Sequence, residues 1–307
     1  MERYPRTMDE FEEHYQSEEE CRRYLFELRW PDGFRCPRCA HDQAWLVRRG
    51  LYRCRACRLE TSLTAGTVFQ DTHKPLRQWF QAMWHVTNEK GGVSALGLQR
   101  ALGLGSYETA WTWLHKLRRA MVRPGRDRLS GIVEVDETFV GGVRKGRPGR
   151  GAGGKTLVLV ATEAADAKRI GRIRLVRIAD ASMSTLHGAI ALCVEPQSKV
   201  RTDSWRGYNE LDAVGFRHEI VRSEAHVGER LLPRPHRVAS LLKRWLLGTH
   251  QGAVRSSHLD FYLDEFTFRF NRRTSRSRGK LFYRLVQQAV AVDPLPAALI
   301  GVRTPVP

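Results

Sequence analysis

The sequence lacks an apolar run long enough to span a membrane, and its first residues, MERYPRTMDEFEEHY, lack the apolar core of a signal peptide. We therefore expect a protein that stays in the cytoplasm and has no membrane partner. The chain has 307 residues. That length accommodates two or three domains, at least one of them with a sizeable core.

Acidic residues are scarce relative to basic ones. The chain has 33 Asp and Glu residues against 51 Lys and Arg residues, so its formal net charge is +18. An excess of this size is typical of proteins that bind a polyanion, most often a nucleic acid. The alternative interpretation is a basic surface that is merely solvated.

Cysteine is also rare, but four of the six cysteines form two CxxC pairs, CPRC at 36–39 and CRAC at 54–57. The segment between the pairs has the alternation of a small β-hairpin. Two such pairs place four thiolates tetrahedrally, which suits Zn²⁺. Because all four ligands come from the protein, the site is expected to be structural rather than catalytic. The predicted ligands are Cys36, Cys39, Cys54 and Cys57.

Residues 74–122 have the periodicity of helices. Within them, residues 92–121 read as a helix, a glycine-containing turn and a second helix, with Ser94 and Ser106 as N-caps. This order fits a helix-turn-helix whose second helix enters the major groove of DNA. A plain helical hairpin with one basic face is the alternative. The basic residues of the second helix are Lys116, Arg118 and Arg119.

The segment GIVEVDETFVGG, residues 131–142, has the apolar character of a buried strand but carries three carboxylates. Burying a carboxylate costs several kcal/mol unless a positive group meets it. Glu134 shares a face with Asp136 by alternation, and Glu137 points the other way. Glu134 and Glu137 are also compatible with exposed charges at a sheet edge.

Further strands are predicted at 156–164 and 169–180, a helix at 183–194, and a short strand that ends on Asp203. This β-β-β-α-β order is that of the ribonuclease-H-like fold, in which the first and fourth strands are neighbours. Asp136 and Asp203 should therefore lie side by side. Adjacent carboxylates repel unless cations bridge them, and two Mg²⁺ or Mn²⁺ ions about 4 Å apart do so in phosphodiester chemistry.

A glycine-rich basic stretch, RKGRPGRGAGGK at 144–155, separates the first two of these strands. It is either a hairpin tip that lies on phosphates or a solvated turn. The candidate phosphate contacts in it are Arg144, Lys145 and Arg147.

Together, the two CxxC pairs, the helix-turn-helix pattern and the segments VDETFVGG, TDSWRGY and HLDFYLDEFTFRFNRR resemble bacterial insertion-sequence transposases of the zinc-ribbon family fifteen ninety-five. The resemblance spans residues 15–290. It implies a catalytic domain of the DDE type that cuts DNA ends and joins them to a target by metal-dependent transesterification. Asp136 and Asp203 match the first two catalytic carboxylates.

The resemblance also implies a third residue, a Glu or Asn, seven residues before a Lys. That Lys is Lys243, and the position holds His236 instead of a carboxylate. His236 is a third metal ligand, a base or water-positioning group, or only a helix cap in a site that has lost a ligand. Because nitrogen ligands favour softer ions than Mg²⁺, the ligand role predicts higher activity with Mn²⁺.

Two other groups of basic residues complete the predicted DNA surface. Lys243 is placed by the resemblance to touch a phosphate near the cleaved bond, and it shares a helix with Arg244. The run at 271–280, with Arg272 and Arg273, lies on DNA backbone or is solvated. For each of these groups, a solvated surface is the alternative.

We therefore predict a multidomain α+β protein. The predicted divisions are an N-terminal helix with the zinc ribbon at 1–70, the helix-turn-helix at 71–125, the ribonuclease-H-like α/β domain with C-terminal helices at 126–295, and a tail at 296–307. The implied partners are the terminal repeats of the element, target DNA and further copies of the chain, since two ends must meet. The competing functions are a catalytically silent DNA-binding regulator and a nuclease that cuts without joining.

Overall fold

The computed structural model describes residues 4–123, 125–141, 155–221, 231–252 and 254–300. The helices are α1 Met8–His14, α2 Glu18–Arg29, α3 Leu76–Asn88, α4 Ala95–Leu102, α5 Tyr107–Ala120, α6 Met183–Cys193, α7 Pro233–His250, α8 Leu259–Phe270 and α9 Arg278–Ala291. The strands are β1 Ala44–Val47, β2 Leu51–Cys54, β3 Glu60–Ser62, β4 Ile132–Val140, β5 Thr156–Ala164, β6 Ile170–Ile178, β7 Lys199–Thr202 and β8 Arg217–Ile220. In the described residues, every helix is too short or too polar to cross a membrane.

The chain divides into two compact units. The first contains Met1–Pro124 and Ser275–Ile300, and the second contains Gly125–Thr274. Helix α9 thus groups with the amino-terminal unit, although the predicted divisions include it in the catalytic domain. The physical reason is its apolar face, because Phe282 is fully buried and packs edge-on against Phe80 of α3 and Phe11 of α1.

Short polar caps set the helix starts of the first unit. Ser17 and Glu20 form a reciprocal capping box at α2, which satisfies two backbone N–H groups. Ser94 and Ser106 cap α4 and α5 at the positions that the sequence predicted. Helix α4 ends on Gly103 with φ 60°, a left-handed conformation that glycine adopts without steric cost. Strands β1, β2 and β3 form a small antiparallel sheet.

The described strands of the second unit form one sheet in the order β6-β5-β4-β7-β8. Strands β4, β5 and β6 are antiparallel neighbours, whereas β7 pairs in parallel with β4, and β8 with β7. The first and fourth strands of this unit are therefore adjacent, as predicted. Strand β8 was not predicted from the sequence, because its four residues are too few for a clear periodic signal.

Helices cover both faces of this sheet. On one face, Val133 and Val135 of β4 pack in a cluster with Leu186 and Ile190 of α6. On the other face, residues of β5 and β6 pack against buried residues of α7 and α8. Because side chains alternate along a strand, Glu134 and Asp136 must point to the α7 face.

Candidate active site

Of the two aspartates predicted from sequence, Asp136 lies on β4, and Asp203 directly follows the neighbouring strand β7. In the parallel pairing of β4 with β7, Ile132 is opposite Lys199 and Glu134 is opposite Arg201. The same offset, continued by two residues past the last paired position, would set Asp136 opposite Asp203, and the Asp203 carboxylate does act on the pKa of Asp136. Neighbouring strands are about 4.8 Å apart, so the two side chains share one end of the sheet.

Local hydrogen bonds hold both carboxylates. The backbone N–H of Glu137 donates to Asp136 Oδ1 at 2.9 Å, and the backbone N–H of Trp205 donates to Asp203 Oδ1 at 3.0 Å. Each aspartate therefore keeps its other oxygen for a different partner. The tight turn after Asp203 needs Gly207, because a Cβ there would lie 2.5 Å from the carbonyl oxygen of Ala181.

Helix α7 brings His236 to this end of the sheet. The helix begins at Pro233, which is tolerated in a first turn because its missing N–H has no intrahelical partner there. His236 lies in the same first turn, and its Nε2 is 2.9 Å from Asp136 Oδ2. The structure thus places the residue that replaces the expected carboxylate directly against the first aspartate.

A pocket of about 470 Å³ lies between β4 and the first turns of α7. Asp136, Thr138, His236, Ser240 and Lys243 are among its lining residues, and Asp203 is not. Burial lowers the pKa of Lys243 below its ordinary value, and the nearby positive charge of Lys155 lowers it further. Three of the four predicted catalytic residues therefore share one cavity.

The electrostatics of Asp136 fit a bound cation. Burial raises the pKa of Asp136 above its ordinary value, and the neighbouring Asp203 carboxylate raises it further, although hydrogen bonding from Glu137 and the contact with His236 oppose this. A carboxylate pair with an imidazole is a donor set that accepts Mg²⁺ or Mn²⁺. The ligand atoms of Asp136, Asp203 and His236 do not all lie within 4.8 Å of one another, since among the described residues only the four cysteines form such a group.

A buried ion pair, which sequence reasoning missed, fixes α7 against β4. Glu134 is 3% exposed and Arg234 is 8% exposed. Arg234 Nη1 donates to Glu134 Oε1, and the Arg234 backbone N–H donates to Oε2 at 3.2 Å. Because Glu134 and Arg234 each precede a site residue by two positions, their pairing aligns Asp136 with His236. The available sequence signal was a carboxylate on the Asp136 face with no partner assigned to it.

Sequence reasoning also missed Tyr208, in the TDSWRGY segment. Its ring is fully buried in the cluster on the α6 face of the sheet. Burial raises the pKa of Tyr208 far above its ordinary value, and the carboxylates of Glu137, Asp136 and Asp203 raise it further. Tyr208 therefore stays protonated and is a neutral group near these carboxylates.

The four predicted zinc ligands converge as expected. Their Sγ atoms all lie within 4.8 Å of one another, with Cys36 to Cys57 and Cys39 to Cys54 both at 3.6 Å. Four sulfurs about 2.3 Å from one tetrahedral ion would be about 3.8 Å apart. The cluster therefore fits a structural zinc ion.

The predicted DNA-contacting face of α5 needs one correction. Arg118 is only 1% exposed, so its guanidinium cannot reach DNA from this position. Its place on the helix explains this, because α5 turns its neighbour Leu117 and the stacked Trp113 into the core. Lys116 and Arg119 are half-buried. Burial lowers the pKa of Lys116, and the nearby carboxylate of Asp71 offsets part of that effect.

The basic run after α8 has a structural role in addition to any DNA contact. Asn271 pairs with both backbone groups of Ile173 in the edge strand β6, at 2.7 and 3.1 Å. Arg273 donates to the carbonyl oxygens of Ile170 and Gly171 in the same strand. Arg272 lies over the ring of Phe268 at 4.1 Å. These bonds anchor the carboxyl end of α8 to the sheet.

The remaining predicted DNA contacts are on α7 and in the glycine-rich basic stretch at 144–155. Arg244 is exposed on α7, one residue after Lys243. Arg144, Lys145 and Arg147 lie outside the described residues.

Two models of one protein family match this chain. Residues 128–271 match the ISXO2-like transposase domain, and residues 16–60 match the transposase zinc-ribbon domain, both of IS1595 (insertion-sequence family fifteen ninety-five). The chain belongs to the IS1595 transposase family. The match over 128–271 contains Asp136, Asp203 and His236 of this transposase, and the match over 16–60 contains its four clustered cysteines.

A curated relative extends the comparison over most of the chain. This transposase is 29% identical over 294 residues to a protein of Halobacterium salinarum described as "Uncharacterized protein in transposable element ISH50". The alignment covers 86% of this chain and 94% of the relative. The similarity therefore includes both units and is not confined to one motif.

Proposed function

We propose that this transposase cuts the ends of its element and joins them to target DNA, with Asp136, Asp203 and His236 at the reaction centre of a ribonuclease-H-like domain. The observation that carries the proposal is the meeting of three chain segments at one end of the sheet. The Asp203 carboxylate, which directly follows β7, lies near enough to Asp136 on β4 to raise its pKa, and His236 Nε2 on α7 is 2.9 Å from Asp136 Oδ2.

The two aspartates and His236 would hold divalent ions in this proposal. Bound divalent ions would activate the attacking oxygen and stabilise the leaving oxygen of the phosphodiester. Asp136 is suited to such a role because it is partly desolvated beside a second carboxylate. The imidazole of His236 replaces the usual carboxylate, so we expect Mn²⁺ to support more activity than Mg²⁺.

Lys243 serves as the phosphate-binding group of the pocket. It lies two turns after His236 on α7 and lines the same cavity, so its ammonium faces the space where a cleaved strand would lie. Arg244 is exposed on the same helix and extends the positive surface. Both contacts are with phosphate and therefore carry no sequence preference.

Recognition of the element ends is assigned to the first unit. Helices α4 and α5 are capped by serines and separated by the Gly103 turn, an order compatible with a helix-turn-helix. Lys116 and Arg119 remain the candidate phosphate contacts of α5. Two element ends must be joined in one reaction, so we expect a dimer or a larger assembly on DNA.

A silent DNA-binding regulator is the second candidate, since His236 replaces the third carboxylate. Strand cleavage and joining on DNA with the element ends, in Mn²⁺ and in Mg²⁺, separates the candidates. We expect Asp136→Asn to lose at least 100-fold in cleavage and His236→Ala to lose the Mn²⁺ preference, while both bind ends normally. His187→Ala, a histidine elsewhere in the same unit, is the matched control and should react normally.

Cleaved and joined products that survive in Asp136→Asn would refute the proposed centre. Tight end binding without products from the unaltered protein would favour the regulator. Hydrolysed ends that are never joined would indicate a cut-only nuclease. Activity that is lost in Asp136→Asn but unchanged in His236→Ala would remove His236 from the centre and leave the aspartates in place.

A further inference from the structure

A second and larger cleft lies beside the same helix. It has a volume of about 1040 Å³ and lies between the β5–β6 turn, α7 and the end of α8. Helix α7 lines both cavities: His236 and Ser240 face the pocket, whereas Arg237 and Leu241, each one residue later, face the cleft. Successive helical residues differ by about 100°, so the two cavities occupy different faces of α7.

The cleft is strongly basic. Five cationic side chains line it, but only one carboxylate does, that of Glu163. Arg172 already pairs with Glu163 through two nitrogens, at 2.9 and 2.6 Å, so this carboxylate does not neutralise the other cations. The cationic lining residues are Lys168, Arg169, Arg172, Arg237 and Arg273.

Three of these cations present their charge to solvent. Lys168 and Arg237 are exposed. The Arg169 side chain is 81% exposed, although it also pairs with Asp166. Exposed cations around a concave surface attract a polyanion more strongly than the same charges on a convex one.

The walls of the cleft are held in place before any ligand arrives. Arg273 and Asn271 tie the end of α8 to β6, and Arg172 is fixed by Glu163. Phe270 and Leu241 add apolar surface between the charged groups. A ligand therefore meets a preformed site and need not order it.

We propose that this cleft binds the phosphodiester backbone of a DNA duplex segment other than the strand that is cut. This inference rests on the proposed function, since it gives the second DNA segment of the joining reaction a place on the catalytic unit. The five cations line a cleft of about 1040 Å³, a volume that suits the spaced charges of a polymer better than one small anion. No side chain of the reaction centre lines the cleft.

The test compares variants of the full-length protein in binding to duplex DNA, by fluorescence anisotropy across a series of NaCl concentrations. Each phosphate contact contributes about 0.9 to the slope of log affinity against log salt. We expect Lys168→Ser with Arg237→Ser to make this slope less steep by about 1.8. The control, Arg217→Ser with Arg255→Ser, removes the same charge from exposed positions of the same unit and should keep the slope.

A charge-conserving variant, Lys168→Arg with Arg237→Lys, should also keep the slope. Equal slopes in the cleft variant and the unaltered protein would overturn the proposal, as would equal changes in the cleft and control variants. Binding is measured without divalent ions, so these outcomes do not depend on catalysis. If Asp136→Asn still cleaved DNA, the proposed reaction centre would fail while the binding result stood.

Discussion

We expect that breaking the buried ion pair of Glu134 and Arg234 lowers the stability of the second unit. The change Glu134→Gln keeps the shape of the side chain and removes its charge. Breaking a buried ion pair on one side costs about 3–5 kcal/mol. Arg234 would keep the carbonyl oxygens of Asp166 and Ala167, at 2.7 and 2.8 Å, as acceptors. We therefore expect the low end of that range, about 3 kcal/mol.

Calorimetry of the purified protein measures this cost. For a unit of this size, about 3 kcal/mol lowers the melting temperature of the second unit by about 6–12 °C. The control is Asp260→Asn, which breaks the pairing of Arg177 with a carboxylate that is 44% exposed. That change should cost less than about 1 kcal/mol. Equal losses in the two variants, or a loss below about 1 kcal/mol for Glu134→Gln, would refute the reasoning.

The same variant tests whether the pair aligns the site. If Glu134 and Arg234 position His236, then Glu134→Gln should reduce cleavage at temperatures where the protein is still fully folded, without changing its affinity for element ends. Full cleavage under those conditions would show that the pair contributes stability alone.

Two further predictions concern the zinc cluster and the response to acid. The protein should hold one zinc ion per chain by metal analysis, and Cys54→Ser should lose it, whereas Cys21→Ala, in the core of α2, should keep it. Burial raises the pKa of Glu163, but its hydrogen bonds with Arg172 outweigh this and hold it below its ordinary value of 4.5. The stability from Glu163 is therefore present above pH 4.5 and is lost as the pH falls through the lowered pKa. Glu163→Gln should lower the melting temperature less at pH 3 than at pH 6, and equal lowering would contradict this.

Much of the fold follows from local sequence patterns. The CxxC spacing predicted the cysteine cluster, and Ser94 and Ser106 predicted two helix starts, because caps and knuckles depend only on residues a few positions apart. The alternation along β4 predicted that Glu134 and Asp136 share a face. The order of strands predicted that Asp203 would lie beside Asp136.

Other features depended on contacts between distant segments. Nothing near Arg118 distinguishes it from Arg119, and only the packing of α5 determines that Arg118 is buried. The basic cleft likewise needs α7, α8 and the β5–β6 turn to come together.

The sequence by itself determined the residue types and the faces on which they lie, since helix and strand periods are local properties. The tertiary structure alone decided that Glu134 meets Arg234, 100 positions away, and that His236 lies against Asp136. The reason is physical: a buried carboxylate needs a cation, but which cation it receives depends on where a whole helix docks on the sheet.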